Sequence, residues 1–532
     1  MEKRLVLAIA MSILIMLAFQ YFIIKPTPKA NIPTPTEQPV APAVKEEIGP
    51  VISPELLAQE KETQVETDRY IMIFSNIGGA IKEIRLKDYK SMNSNESLEL
   101  VKIQNPFEYM FSIDGPKAPL SALPAIYELE KRDHTIIYTL RTNEFEITKK
   151  YVLNSPKYGI DLLIFVRNMS GGPKEFNYRI IGGAGITEKS AQDKRFLEVT
   201  SNINGKTVGF KKPKAGRIST PGIVGWATLK NKYFSVVLKP FVQTKNQFYS
   251  EDRDGNLVMG ITPEGSVMQP GDSIENKFKL YVGPDQISDL KEFGYGLEES
   301  VNYGFFGGIS KLLIAVMRFL HVIVRNWGIA VILLSIFLNI LLFPLTVKSF
   351  RSMQKMQELH PQMEKLKIQH KDNPQKMNKE VMELYKKYNI NPFSGCLPML
   401  LQMPVFIALY QALNRSIDLR NAKFLWINDL SAPDAIPLPL SFPIIGNTIN
   451  ILPLIMVIAM VIQQKLSTKF MGAAVTDEQR EQQRMMLILM PIIFGFIFYN
   501  MPSGLVLYWV VNTVLTVFEQ YSVFSAESSL KA

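Results

Sequence analysis

The stretch from Trp327 to Asn391 constrains this chain more than any other. It opens with an apolar run, Gly328 to Thr346, of about 19 residues; at 1.5 Å per residue a helix of that length spans roughly 28 Å, the hydrocarbon thickness of a bilayer. Its character then reverses. Lys348, Arg351, Lys355, Lys365, Lys367, Lys371, Lys376, Lys379, Lys386 and Lys387 follow against Glu358, Glu364, Asp372, Glu380 and Glu383. Positive charge flanking a span is retained in the cytoplasm, so this helix enters from outside and the remaining spans alternate around it.

Composition becomes informative once it is located. The 532 residues exceed one domain, and 47% hydrophobic with 20% charged residues would suit a soluble protein. The apolar residues are instead concentrated at the N-terminus and in roughly the last 200 residues, while the middle alternates as a soluble β domain does. The net charge of +10 sits largely beside the candidate spans. Orientation and contact with anionic lipid explain it, and no specific nucleic-acid partner is expected. The single Cys396 excludes a disulfide framework, and His134, His321, His360 and His370 are too scattered for a metal site.

Residues 1–24, with Lys3 and Arg4 ahead of the apolar run Leu5 to Ile24, read as a retained signal-anchor span with its N-terminus inside. Residues 25–66 hold Pro26, Pro28, Pro33, Pro35, Pro39, Pro42, Pro50 and Pro54 and read as an extended external linker. Residues 67–285 are β in pattern. Tyr70 to Ser75, Ile81 to Leu86, Ile136 to Leu140, Phe145 to Leu153, Ile160 to Val166 and Phe234 to Leu238 are short β-branched and aromatic runs separated by turns such as Asn76-Ile77-Gly78-Gly79. They predict a large sandwich without a catalytic constellation, and His134, beside Arg132 and Asp133, falls on a surface turn.

In residues 303–326, Lys311, Arg318 and Arg325 recur every seven residues, apart from Ile309, Leu312, Val316, Leu320 and Ile323. That spacing predicts an amphipathic helix lying in the outer interface, with Trp327 and Trp426 as aromatic anchors. The second span occupies 327–347. Residues 348–392 predict a cytoplasmic helical hairpin turning at Asp372-Asn373-Pro374, its first arm kinked at Pro361. Further spans are expected at 396–414, 450–464, 485–500 and 503–521. An external loop at 415–449, a cytoplasmic loop at 465–484 and a short cytoplasmic tail at 522–532 complete the chain. The expected fold is a polytopic α-helical membrane protein of six spans, both termini cytoplasmic, with a large external all-β domain.

Several motifs now fall together: Asn326-Trp327-Gly328, Phe343-Pro344-Leu345-Thr346, the basic hairpin, Asn391-Pro392-Phe393-Ser394-Gly395-Cys396-Leu397-Pro398, Leu401-Gln402-Met403-Pro404, and Phe498 to Tyr508 with its Met501-Pro502-Ser503-Gly504-Leu505 turn. In combination they closely resemble the YidC/Oxa/Alb membrane-protein insertases. The N-terminal anchor and β insert look like the Gram-negative YidC form, so the resemblance covers nearly the whole chain. It implies a periplasmic β-supersandwich and a five-helix core around a hydrophilic groove open to cytoplasm and lipid, in the bacterial inner membrane. It implies no enzymatic reaction and no cofactor. The implied partners are nascent membrane proteins, Sec translocon components, membrane lipids and, transiently, the ribosome.

The family's groove carries an arginine five residues before the proline of Pro-Leu-Thr, and Asn339 stands there in this chain. An asparagine hydrogen-bonds water and peptide but does not attract an acidic tail as a fixed cation does, so a neutral groove is expected. Ser335, one turn earlier, is expected to offer a hydroxyl to the same groove. Tyr508 and Trp509 fall in the matching stretch of the last span, and Gln402, Met403, Gln463 and Asn512 complete the candidate lining. The alternative for any one of these polar side chains is an interhelical hydrogen bond. In the hairpin, Met353, Met356, Met363 and Met377 offer an adaptable apolar surface, and Lys355 and Lys365 offer contacts to headgroups or ribosomal RNA. Ordinary packing and a solvated basic face are the alternatives there. A transporter or channel, and a scaffold beside Sec that inserts nothing, are the competing functions; the spans show neither the duplicated halves nor the mid-membrane charges typical of transporters.

Overall fold

The computed structural model describes residues 54–91, 96–114, 125–153, 158–186, 196–210, 217–241, 245–253, 255–301, 303–370, 373–388, 397–442, 446–471 and 477–531. The expected anchor at 1–24, most of the linker, and Cys396 lie outside them. The chain divides into two compact units after Asn302.

In the first unit, alternation of apolar residues builds antiparallel sheets. Glu62–Glu66, Tyr70–Ser75, Ala80–Lys90 and Ser97–Lys102 pair in that order as one four-stranded sheet. A larger sheet runs through Arg179–Gly183, Asn256–Thr262, Lys245–Arg253, Arg217–Lys230, Phe234–Pro240, Ser273–Pro284, Gly159–Asn168, Phe145–Val152, Thr135–Arg141 and Glu128–Arg132. Along Gly159–Asn168, Ile160, Leu162, Ile164 and Val166 are all buried, the period of two that a strand imposes. The long strand Arg217–Lys230 serves three partners: Arg217 to Ile223 pair with Lys245–Arg253, Ala227 to Lys230 pair on one edge with Phe234–Pro240, and Val224 to Lys230 pair on the other with Glu198–Ile203. A strand that changes partners in this way turns the corner between packed layers. Each run read as a strand from the sequence is one, and His134 is exposed beside Asp133, whose φ of 43° turns a hairpin.

The linker expected over 25–66 ends sooner than proline density suggests. Pro54–Ala58 is a short helix, α1, and Glu62–Glu66 is a strand in which only Val65 is buried, so its alternation is one residue deep. Glu60 fixes the junction. Its carboxylate accepts hydrogen bonds from Ser75 Oγ at 2.8 Å, Tyr109 OH at 2.9 Å and Lys82 Nζ at 3.1 Å. Burial pushes the Glu60 carboxyl up, but these donors outweigh it and hold it below its ordinary value.

The Gly78-Gly79 turn is held from inside the domain. Lys149 is fully buried and donates to Gly78 O at 2.6 Å and Phe111 O at 2.7 Å, with its ammonium 5.1 Å from the Tyr127 ring centroid. Burial drives its pKa well below the ordinary lysine value. Tyr151 donates to Gly79 O at 2.7 Å. A Cβ on Gly79 would lie 2.8 Å from Tyr138 Cβ, so the aromatic packing requires glycine there. A short helix, α2 (Ile287–Phe293), ends this part of the unit with Leu290 buried.

The second unit is helical: α3 (Gly307–Val324), α4 (Trp327–Glu358), α5 (His360–Gln369), α6 (Pro374–Lys387), α7 (Leu397–Arg415), α8 (Ile451–Met471), α9 (Asp477–Phe498) and α10 (Ser503–Lys531). Leu313, Met317, Leu334, Leu338, Leu409, Leu413, Met456 and Leu505 meet in one core. The outward surface is equally apolar. Phe337, Ile340, Leu341, Ile458, Ile492 and Phe518 are exposed, and Phe496 is 86% exposed. A bundle with apolar residues on both faces is built for lipid, where only internally satisfied backbones survive. By length and composition, α3 and the Trp327–Ser352 part of α4 are each sufficient to cross a membrane.

Several boundaries differ from expectation. The second span and the start of the hairpin's first arm are one helix, α4, which continues to Glu358, and the rest of that arm is α5. The arm breaks at Leu359, beside the expected kink, and Pro361 sits in the first turn of α5, where its missing N–H has no helical partner to lose. The loop expected over 465–484 is largely helical, because α8 continues to Met471 and α9 begins at Asp477. Its Glu, Gln and Arg residues are good helix formers, and polarity had mimicked a loop. The expected tail is likewise the end of α10, which runs to Lys531. Within the external loop, Ile436–Phe442 and Gly446–Ile449 form a hairpin that the prolines had concealed.

In the arm formed by α5 and α6, Asn373 caps α6 by accepting from Lys376 N at 3.0 Å, and His370 Nε2 meets Glu380 Oε2 at 2.9 Å. Tyr385 OH donates to Met363 Sδ at 3.4 Å, so Met363 is engaged in hairpin packing. Met377 is half-buried, and Lys355 and Lys365 are exposed. The side chains of Met353 and Met356 lie outside the described residues.

Candidate functional site

Two of the motif groups meet at one end of the bundle. Asn326 caps α4, its Oδ1 accepting from Ile329 N at 3.1 Å. Trp327 stacks on His321 with ring centroids 3.8 Å apart and planes 7° apart. Gly328 lies against Phe424, and a Cβ there would come within 2.1 Å of the ring's Cγ. Asp434 Oδ2 accepts from Ile451 N and Leu452 N, both at 2.9 Å, and from Trp426 Nε1 at 3.2 Å. A carboxylate on the first amides of α8 satisfies donors that the helix itself leaves open. The Ser503-Gly504 turn docks on the same loop, Ser503 N donating to Ala432 O and Gly504 N to Leu430 O, both at 2.8 Å.

Inside the bundle, polar side chains meet between α4, α7 and α10. Asn339 Nδ2 donates to Asn512 Oδ1 at 2.9 Å and to Ser335 O at 2.9 Å. Gln402 Nε2 donates to the hydroxyl of Tyr508, which is fully buried. The structure therefore brings Asn339 to Asn512 and Gln402 to Tyr508, in both cases across helices. Ser335 departs from expectation: it is fully buried, and its hydroxyl donates to Val331 O, 2.8 Å away on the same helix. The preceding turn captures that hydroxyl, a competition that serine side chains commonly win in apolar surroundings. Trp509 belongs to an aromatic cluster, its ring centroid 5.0 Å from Phe406, 5.2 Å from Phe498 and 5.5 Å from Phe494. Met403 and Gln463 are half-buried, and Gln463 makes no hydrogen bond with the described residues.

One residue was missed. Tyr508, Asn512 and Glu519 are spaced i, i+4 and i+11, which puts all three on one stripe of α10. Glu519 is half-buried. The spacing from Asn512 would have identified it.

The expected interfacial helix, α3, presents three faces. Ser310, Leu313, Ile314 and Met317 are buried, and Ser310 Oγ donates to Ala408 O at 2.8 Å. Ile309, Leu312, Phe319, Val322 and Ile323 are exposed, so most of the expected apolar stripe faces away from the protein. Of the basic residues, Lys311 is exposed, Arg318 pairs with Asp418 at 2.7 Å, and Arg325 ends the helix with a φ of 52°. Arg318 is thereby committed to the protein as well as to any surface it meets.

An apolar-surfaced helix bundle with amides paired in its interior and an attached β domain defines an integral membrane protein whose polar groups work from within. Comparison with known proteins narrows this class. The family described as 60Kd inner membrane protein matches residues 319–529, and the YidC periplasmic domain matches residues 62–316. The membrane protein insertase YidC of Syntrophus aciditrophicus (strain SB) is 31% identical over 98% of this chain and 99% of its own length. That of Geobacter metallireducens is 33% identical over 98% of each chain. A solved structure of an active YidC insertase, with its first transmembrane domain resolved, covers 87% of this chain and 92% of its own at 17% identity and a TM-score of 0.38. This chain belongs to the YidC family of membrane protein insertases, inner-membrane proteins with a periplasmic domain. It is not an enzyme.

Proposed function

We propose that the chain admits nascent membrane segments from the cytoplasm along the seam between α4, α7 and α10 and releases them sideways into lipid. The Asn339–Asn512 pair carries this reading. Two neutral amides bonded to each other within an apolar bundle can exchange that bond for bonds to a passing peptide, which lowers the cost of bringing a polar tail part-way across. Burial of the client's apolar segment in lipid supplies the driving force. Gln402, Gln463 and Met403 extend the same lining.

Gly328 to Thr346 of α4, α7 before Arg415 and α10 before Lys531 contain no lysine or arginine, so this seam does not favour acidic tails electrostatically. The proposed topology has six spans with both termini cytoplasmic and α3 in the outer interface, its exposed apolar face in lipid. Lys355 and Lys365 are the proposed hairpin contacts to headgroups or to a docked ribosome, and Sec translocon components the proposed membrane partners.

Complementation of a YidC-depleted Gram-negative cell tests this reading. The wild-type chain and Asn339→Arg are both expected to restore growth, with the arginine variant better at inserting a client that has an acidic N-terminal tail. If neither restores insertion of any client, the insertase reading fails. Equal insertion of the acidic client by both would remove the electrostatic part alone.

A further inference from the structure

The polar stripe of α10 is satisfied at two levels and open at the third. Tyr508 is bonded to Gln402 and Asn512 to Asn339, whereas Glu519, seven residues and about 10 Å further along the helix, has no hydrogen-bond or ion-pair partner among the described residues. The side of the helix is not in doubt, because Val514, Phe518 and Tyr521 are exposed on a different face. Gln520, next to Glu519, is buried and accepts from Ser467 Oγ at 3.1 Å, so the backbone at this level is packed against α8. Lys348, on α4, is exposed and makes no ion pair with Glu519. A half-buried carboxylate is costly to leave unpaired, and a helix that pairs its other polar groups on the same stripe leaves this one for a visitor.

Resting on the insertase reading above, we propose that Glu519 receives the cationic flank of a client: a lysine or arginine side chain adjacent to the apolar segment being inserted. The stripe then reads in order from the neutral amide pair to a carboxylate at the cytoplasmic mouth. A client's uncharged part passes the amides while its basic flank is retained by Glu519, so the insertase itself contributes to keeping positive flanks inside. The substrate class favoured is apolar segments with basic rather than acidic cytoplasmic flanks.

Proteoliposomes containing the purified full chain test this with one single-span client made in three forms, flanked by lysine, glutamine or glutamate. Glu519→Gln, which removes the charge at nearly constant shape, is expected to lower insertion of the lysine-flanked client by roughly fivefold while leaving the glutamine-flanked client within about twofold. Glu519→Asp keeps the charge and is expected to retain the lysine preference; Glu519→Lys is expected to shift preference to the glutamate-flanked client. Equal effects of Glu519→Gln on all three clients, or no effect on the lysine-flanked one, would overturn the proposal while leaving the insertase reading intact. Failure of the wild-type chain to insert even the glutamine-flanked client would overturn both.

Discussion

Asn339 and Asn512, on two helices that run side by side, share a 2.9 Å amide-to-amide hydrogen bond in the interior of an apolar bundle. Each is the other's replacement for water. Removing Asn339 takes away the amide partner of Asn512, and removing Asn512 leaves Asn339 only its bond to Ser335 O, so Asn339→Ala and Asn512→Ala should each destabilise the bundle, and the double variant should cost less than their sum. The coupling expected is about 0.5–1.5 kcal/mol, read from a double-mutant cycle of thermal unfolding in detergent. Additive losses would mean that the amides do not act as a pair.

Asp434 holds the first amides of α8 and the indole of Trp426 at once. Asp434→Ala should lower stability by about 1–2 kcal/mol, and Asp434→Asn should recover part of that, because an amide oxygen still accepts. Trp426 fluorescence is the accompanying readout; a spectrum unchanged in Asp434→Ala would show that the indole is placed by other contacts.

Gly328 is required by packing rather than by backbone conformation. The Cβ of Gly328→Ala would press on Phe424 near the base of its side chain, where rotation cannot clear it. We expect a loss of about 1–3 kcal/mol, relieved in Gly328→Ala/Phe424→Ala relative to the sum of the two single changes. Additivity in that cycle would contradict the contact.

Lys149 gives the β domain a pH dependence of known sign. Its folded pKa is depressed by burial, while an unfolded lysine stays protonated to about pH 10. Between those values the unfolded chain binds more protons, so this group makes stability rise with pH and stops contributing to the slope once the unfolded lysine titrates. Stability of the wild-type chain should climb more steeply between about pH 7 and pH 9.5 than that of Lys149→Met, followed by tyrosine near-ultraviolet circular dichroism. Parallel slopes would show that Lys149 keeps its charge when folded.

Much of this architecture was legible because it depends on period. Phe145 to Val152 alternates and is a strand; Gly328 to Thr346 is apolar apart from Ser335, Asn339 and Thr346 and is helical. Continuity was not legible where composition changed without a change of structure: the glutamine- and arginine-rich start of α9 and the end of α10 extend helices that polarity alone seemed to end. The site was half legible. Asn339, Asn512, Gln402 and Tyr508 could be nominated as polar groups among apolar ones, but which atoms pair is decided across helices. Ser335 turned to the carbonyl one turn back on its own helix, and Trp509 joined an aromatic cluster because of neighbours remote in the chain. Glu519 escaped notice because it sits near the end of a span, where a charge draws no attention until its alignment with Asn512 is seen.

The unbroken course of α4 has a mechanical consequence. From the Asn326 cap to Glu358 it is one rod of 32 residues, about 48 Å long, anchored at its N-terminal end by Phe424 and His321 and leading into the basic arm at the other. A rod so fixed does not let its own basic residues, Lys348, Arg351 and Lys355, swing as a separate appendage. A load applied among the hairpin lysines bends the lever at its weakest section, Pro344, where Ile340 O has lost its amide donor, one residue beyond the seam's own Asn339. Force applied to the cytoplasm-directed end proposed above would thus be delivered to the level at which the two asparagines meet.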